Sequence, residues 1–332
     1  MTDDAAFKAI SRRLLLNAFV ATGSASLSAA AFGQGASGGT TKLIVPYATG
    51  GTADLVARAA GDRIAQKLGA PVVPDYRPGG NLVIGAQAAA AAPPDGRTLF
   101  LGTGTSQCLN PLLRSDLPYR ADQFAPVAML TENSYLFVVP PSSPARSLKE
   151  LVDYARQKPW QWNHGSFGVG NITHLGTEWL CQMAGISMQN VPYRAGTQAD
   201  LDLLGGRLDF LMTTFSILPH VKSGAARALA VSMPERFALL AETPTVAEQG
   251  YPDYDVRGWF ALFAPTGTPA PLLKSLNEAC NLAMADASVR EAFAPQGLVP
   301  VGGAPDLLAK QIAAENARWA PIIERLGLRD KA

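Results

Sequence analysis

A chain of 332 residues that is 48% hydrophobic and 17% charged is long enough for two domains with cores of their own, and too apolar for disorder. Its net charge of +1 leaves no electrostatic case for nucleic acid or an anionic membrane, and three Cys exclude a disulfide scaffold. With 31 Gly and 25 Pro, about one residue in six favours turns and close backbone approaches.

Residues 1–35 differ in texture from the rest. A polar start with Asp3, Asp4 and Lys8 leads to Ser11-Arg12-Arg13-Leu14-Leu15-Leu16, then to a mildly apolar run from Asn17 to Ala31 rich in small residues. The run is too weakly hydrophobic to span a bilayer core of about 30 Å. It reads as a cleaved secretory signal, and its arginine pair resembles the twin-arginine export motif. Cleavage is expected between Ala29 and Ala36. Removing Lys8, Arg12 and Arg13 together with Asp3 and Asp4 leaves the remainder near neutral, and a periplasmic location is expected.

The mature chain opens on a short apolar strand, Lys42 to Pro46, which runs into Tyr47-Ala48-Thr49-Gly50-Gly51-Thr52-Ala53-Asp54. Val56, Ala60, Ile64 and Leu68 then recur every four residues, and Gly69 stops the helix. A second strand at Val72-Val73 ends in a turn at Arg77-Pro78-Gly79-Gly80. An Ala-rich helix from Ile84 to Ala92 precedes a third strand at Thr98–Leu101. Strand–helix–strand alternation with short Gly-rich connections predicts a parallel α/β unit.

Leu136 to Val139 reads as a further strand, and the cluster Pro140-Pro141-Ser142-Ser143-Pro144 as the linker to a second α/β unit. There Ser147-Leu148-Lys149-Glu150 forms a capping box opening a helix to Lys158. Strands are expected at Trp162–Ser166, Leu208–Met212 and Arg227–Val231. A helix with Leu175, Trp179 and Met183 on one face lies among them, and another is capped near Thr197. Arg257 to Phe263 returns the chain to the first unit. Thr268 with Pro269, then Ser288, cap two helices, and a last helix runs from Pro305 to Leu326. The expected organisation is α/β with two lobes: 40–138 plus 258–332 form lobe 1, 139–257 form lobe 2, and a ligand cleft separates them.

Catalytic signatures are weak. His164, His174 and His220 lack metal-ligand spacing, as do Cys108, Cys181 and Cys280, so no metal site is expected. Gly104-Thr105-Ser106-Gln107-Cys108 begins like a nucleophile elbow and lacks the last glycine. Ser166, His174 and Asp209 make a triad only on paper. Gly165 to Gly170 has the wrong spacing for a dinucleotide fold, and no Walker loop exists. Neither an enzyme nor a cofactor is expected.

Four Gly-rich segments instead stand at strand–helix junctions: Tyr47–Thr52, Gly102–Ser106, Ser166–Thr173 and Tyr193–Thr197. Ligands of open α/β sheets bind beyond the carboxyl ends of strands, and helix N-termini offer free N–H groups to anions. Two such segments from each lobe would hold a carboxylate without arginine. Asp54 reads as a capping group in a supporting role, and His174 as a first-turn donor or a surface residue. Trp259-Phe260 reads as core more readily than as cleft wall.

These segments resemble the Bug family, the periplasmic solute receptors of tripartite tricarboxylate transporters. The likeness starts at Ile44 to Arg58. It continues in order through Pro94-Asp95-Gly96-Arg97-Thr98-Leu99, Gly165 to Gly170, Val191-Pro192-Tyr193-Arg194, Leu204-Gly205-Gly206, Pro244 to Gly250 and Ala264 to Pro269. The resemblance implies a two-lobe, type II-like periplasmic binding protein fold that closes on a small carboxylate and delivers it to a membrane permease, acting as a monomer. It implies ligand contacts from Tyr47, Ala48, Thr49, Gly50 and Gly51, supported by Asp54. Further contacts come from Thr105 and Ser106, from Ser166, Gly170, Asn171 and His174, and from Tyr193, Ala195 and Gly196. An alternative is an orphan receptor that presents its ligand to a signalling sensor.

Departures from the family pattern narrow the ligand. Ala48-Thr49 replaces a proline before the glycines, Gln107-Cys108 a His and a small residue, Asn171 a serine, and Ala195-Gly196 the usual Tyr-Lys-Gly turn. Thr213-Thr214 stands where an acidic residue is common. Losing that carboxylate removes a partner for an amino group, so the expected ligand is a dicarboxylate or aromatic carboxylate lacking an amine.

Overall fold

The computed structural model describes residues 39–330, so the export signal expected at residues 1–35 lies outside the described residues. The chain begins with Thr41–Val45 (β1), Thr52–Leu68 (α1), Val72–Tyr76 (β2), Val83–Ala90 (α2) and Thr98–Thr103 (β3). Asn110–Leu113 (α3) and Phe124–Asn133 (β4) follow. Then come Leu136–Val139 (β5), Leu148–Gln157 (α4), Asn163–Ser166 (β6), Ile172–Ala184 (α5), Gln189–Pro192 (β7), Gly196–Leu204 (α6), Phe210–Thr213 (β8), Leu218–Lys222 (α7) and Arg227–Val231 (β9). The last elements are Gly258–Pro265 (β10), Ala270–Ala285 (α8), Ala287–Phe293 (α9), Leu298–Pro300 (β11) and Pro305–Leu326 (α10).

Two mixed sheets result, in the orders β11-β4-β10-β3-β1-β2 and β7-β6-β8-β5-β9. β1 pairs parallel with β2 and β3, as the alternation predicts. β10 pairs antiparallel with both β3 and β4, so the first sheet is not wholly parallel. Side chains alternate across each strand, and both faces are apolar. Leu43, Val45, Leu99 and Leu101 pack on Val56 and Ile64 of α1, while Ile44 and Phe100 pack with Trp259 and Phe263 on the other face. In the second sheet Phe137, Phe210 and Met212 meet Leu175 and Trp179, and Leu136, Val138 and Leu211 meet Ala199 and Leu203.

The crossover between sheets is shorter than composition suggests. β4 ends at Asn133 in the first sheet and β5 begins at Leu136 in the second, so Ser134 and Tyr135 make the passage. The proline cluster instead turns the chain within the second unit, after β5. A two-residue passage carries no compositional signal, whereas prolines mark any strand end because they cannot donate to the ladder. The return strand is β10, as expected.

The two passages are tied together. Ser232 Oγ accepts from Tyr135 N–H (2.9 Å) and donates to the Val256 carbonyl (2.7 Å), while Ser232 N–H donates to the Tyr135 carbonyl (3.0 Å). The 22-residue α10 also bridges the sheets. Leu308 and Ile312 join the first sheet's core, and Trp319, Ile322 and Ile323 join the second's.

Candidate functional site

β1, β3 and β4 run in one direction, since β10 is antiparallel to β3 and β4. Their carboxyl ends therefore share one edge of the sheet with the start of β10 at Gly258. The first glycine segment lies there. Ala48, Thr49, Gly50 and Gly51 are exposed, and Gly51 is the N-cap of α1 with no side-chain cap. Gly50 has φ +84°, in the left-handed region. Asp54 N–H turns back to the Gly51 carbonyl (3.1 Å), and the Thr52 and Ala53 N–H groups, which have no intrahelical acceptor, stand beside this segment.

Asp54 serves the loop rather than a ligand. Its carboxylate accepts from Gly50 N–H (3.0 Å), Arg58 Nε (2.7 Å) and the Tyr76 hydroxyl (2.5 Å). Burial alone would raise its pKa; Tyr76, Gly50 N–H and Arg58 outweigh that and hold it below the usual carboxylate range. Tyr47 turns inward, edge-on to Phe260 with ring centroids 5.9 Å apart, and burial pushes its phenol up to about 12.

The second segment is not an open loop. β3 passes straight into a π-helical turn, Thr105–Leu109, continuous with α3. Ser106 is fully buried; its hydroxyl accepts from Thr103 N–H (3.0 Å) and donates to the Thr103 carbonyl (3.1 Å). It closes the junction and leaves Thr105 to face the cleft. Single π turns of this kind recur at functional sites.

The third segment joins β6 to α5. Gly168 and Gly170 take φ +118° and +76°, and Asn171 caps α5 by accepting from Thr173 N–H (3.2 Å). His174 Nδ1 accepts from Gly170 N–H (3.1 Å), and its Nε2 lies 3.8 Å from Glu178 Oε1, which also meets His164 Nε2 at 3.1 Å. Burial drives His174 down to about 4, so the ring is neutral at neutral pH. Both of its nitrogens face internal partners. Ser166 is fully buried, with Oγ 3.5 Å from the Gly168 carbonyl. Asp209 accepts from Asn163 N–H (2.9 Å), so Ser166, His174 and Asp209 form no triad. The three cysteines are free and buried, and burial raises all three thiols, Cys280 to about 12.

The fourth segment lies beside the third. Tyr193 N–H donates to the Ser166 carbonyl (2.8 Å), its hydroxyl to Asp202 (2.9 Å), and Ala195 is the N-cap of α6. A Cβ on Gly196 would lie 2.8 Å from the Phe167 ring. Among the described residues no hydrogen bond joins this segment to the first sheet. Thr213 donates to Asp200 (2.7 Å), whose carboxyl burial raises.

The first three segments converge. Tyr47, Thr103, Gly104 and Thr105 line one pocket with Ile172 from the start of α5. Tyr135 and Arg257 from the two passages, Trp259 and Phe260 from β10, and Glu315 from α10 complete it. Trp259-Phe260 is thus both core and wall. Arg257 brings little free charge, because Asp255 (2.8 Å), Glu132 (3.5 Å) and Glu235 (3.5 Å) surround its guanidinium.

Asn81 bridges the sheets beside this pocket. Its Nδ2 donates to the Val169 carbonyl (3.2 Å), and its Oδ1 accepts from Asn171 (3.4 Å). It holds φ +51° and Leu82 holds φ +73°, uncommon conformations for residues with a Cβ. Sequence reading missed Asn81, Tyr135, Arg257 and Glu315. Only Asn81 carried a signal, the turn chemistry of Gly79-Gly80-Asn81.

Similarity to known proteins is extensive. A family model described as tripartite tricarboxylate transporter family receptor matches residues 56–328. Protein BugT of Bordetella pertussis is 33% identical over 293 residues, covering 87% of this chain and 90% of that protein. The solved structure of Rhodopseudomonas palustris Rpa4515 with adipate superposes with a TM-score of 0.82 at 32% identity, covering 87% of this chain and 97% of that one. MatC of Rhodopseudomonas palustris with bound malate superposes with a TM-score of 0.79 at 30% identity, covering 86% and 98%.

Proposed function

The chain belongs to the tripartite tricarboxylate transporter receptor family, that of the Bug receptors, whose members are solute-binding proteins rather than enzymes, and on that premise we propose that it captures a small carboxylate in the periplasm and delivers it to a membrane permease. The lobes are the two sheets with their helices, divided at the passages through Ser134-Tyr135 and Val256-Arg257. They close on the ligand by a shift in population driven by contacts made only in the closed form. Export uses the twin-arginine-type signal at residues 1–35, and the receptor acts as a monomer.

The reading is carried by one observation. Segments from both sheets meet at one pocket whose lining includes Tyr47, a few residues before a helix N-terminus where Thr52 and Ala53 N–H lack an intrahelical acceptor, and the local arginine is already ringed by carboxylates. An anion there is gripped by main-chain donors of Ala48, Thr49 and Gly51, the Gly50 N–H being held by Asp54, with Thr105 and the start of α5 opposite. Rpa4515 with adipate and MatC with malate make dicarboxylates the first class to test, and aromatic carboxylates the second. Calorimetric titration with adipate, malate, succinate, benzoate and aspartate tests the proposal. A carboxylate without an amine should bind and, at 100 times its Kd, add about 2.7 kcal/mol of stability. Binding of aspartate alone would overturn the proposed ligand class.

A further inference from the structure

Two kinds of hydrogen bond join the sheets, and they differ in their access to water. At the passages, Ser232 bonds Tyr135 and Val256 in full burial. Beside the pocket, Asn81 on the turn between β2 and α2 reaches Val169 and Asn171 on the segment between β6 and α5, and these bonds are only part-buried. Breaking a buried bond strands its donor and acceptor, whereas water replaces a bond that it can reach. The first set therefore marks a fixed joint, and the second a contact that is cheap to make and break.

The Asn81 amide is aimed before it crosses. One Nδ2 hydrogen goes to Asn110 Oδ1 (3.0 Å), while Asn110 Nδ2 donates in return to the Asn81 carbonyl (2.8 Å) and to the Tyr119 hydroxyl (3.3 Å). Asn110 and Tyr119 are buried, so this exchange fixes the plane of the amide. One N–H is left for the Val169 carbonyl, and Oδ1 is left to accept from Asn171 Nδ2. Both donors and the acceptor of the side chain are thus engaged, and two of those three bonds land on the other sheet. Asn171 is held as firmly, because its own Oδ1 caps α5 at Thr173 N–H. Turn chemistry explains an asparagine at positive φ; it does not explain an amide whose bonds cross between the sheets.

We propose that Asn81 is a latch, whose two bonds to the third segment hold a fraction of the protein closed before any ligand arrives. The proposal rests on the two-lobe reading above and concerns the ligand-free protein. A closed form that is already populated leaves a ligand less to shift, so the latch tightens capture without touching the solute. Its bonding groups are all neutral, so salt does not screen it.

Nitroxide labels at Gln87→Cys on α2 and Gln198→Cys on α6 report the separation of the sheets; both positions are exposed, and the native cysteines are buried. Pulsed electron-spin distance measurements on the ligand-free protein should give a short separation alongside any long one, and adipate or malate should raise the short share. Asn81→Gly keeps the left-handed turn and removes both crossing bonds, and should lower the short-to-long ratio about tenfold. Asn171→Ser keeps a cap on α5 and removes one bond, and should lower the ratio about threefold. A wholly long separation in the ligand-free parent, or one ratio shared by the parent and both variants, overturns the latch and leaves lobe closure standing. A ratio that responds to the variants and to neither acid supports the latch and overturns the dicarboxylate reading. A single separation in every protein, with and without acid, overturns lobe closure, and the latch with it.

Discussion

Ser232 is fully buried and joins the two passages between sheets through both its hydroxyl and its main chain. Replacing it with alanine leaves Tyr135 N–H and the Val256 carbonyl without that oxygen, in a place closed to water. Ser232→Ala should therefore cost about 1–3 kcal/mol, read as a lower urea midpoint at unchanged m-value. Gly258 beside it shows the same crowding: a Cβ there would collide with the Tyr135 hydroxyl and the Asn133 amide. Neither residue announces itself in sequence. A lone serine after a strand and a lone glycine before one are common, and their importance comes from partners about 100 and 125 residues away in the chain.

At the scale of elements, what was legible followed from periodicity and punctuation. α1 shows apolar residues every four positions and ends at Gly69, which adopts the left-handed conformation with φ +66°. α10 spans Pro305–Leu326 as its pattern predicts, and Ser147 caps α4 by accepting from Glu150 N–H. Caps competing within one turn were harder to place: α6 has its N-cap at Ala195 rather than Thr197, and α9 is capped by Asp286, which accepts from Ser288 N–H. β4 was obscured by Pro126 and by its partners being distant in sequence. The π turn after β3 was unreadable because nothing local distinguishes it from a loop. The first glycine segment, by contrast, was recognised with its supporting acid. Asp54→Ala should release Gly50 N–H, loosen the segment at the start of α1 and cost about 1 kcal/mol of stability, with weaker carboxylate binding in calorimetry. The pH dependence has a definite sign. The folded-state pKa of Asp54 is lowered, so its contribution is present above the unfolded value of about 3.9 and is lost as pH falls through the folded value. Affinity should hold from pH 5 to 8 on this account and decline only in stronger acid.

For the molecule as a whole, α10 spans about 33 Å and ties the two cores together, placing Glu315 between Ile312 on one and Trp319 on the other. A carboxyl buried there ties its own titration to global stability. Burial is the main cause of its upward shift to about 7; Arg318 opposes it and Asp255 reinforces it. The unfolded carboxyl titrates near 4.5, so between pH 4.5 and 7 the unfolded chain loses a proton that the folded chain keeps. Stability from this group is thus complete below 4.5 and falls as pH rises to about 7. His174 works in the opposite direction: its folded value is depressed to about 4 from 6.5, so its contribution is present above 6.5 and is lost as pH falls. Over their shared window the two slopes offset each other, and the wild-type curve should be shallow. Glu315→Gln removes only the falling slope. Its stability relative to wild type should climb from pH 4.5 to 7 by an amount on the order of 3 kcal/mol, with every group common to both proteins cancelling in the difference. Urea midpoints at pH 4.5, 5.5, 6.5 and 7 measure it, and a difference independent of pH would mean that Glu315 is as well solvated in the folded protein as in the unfolded chain.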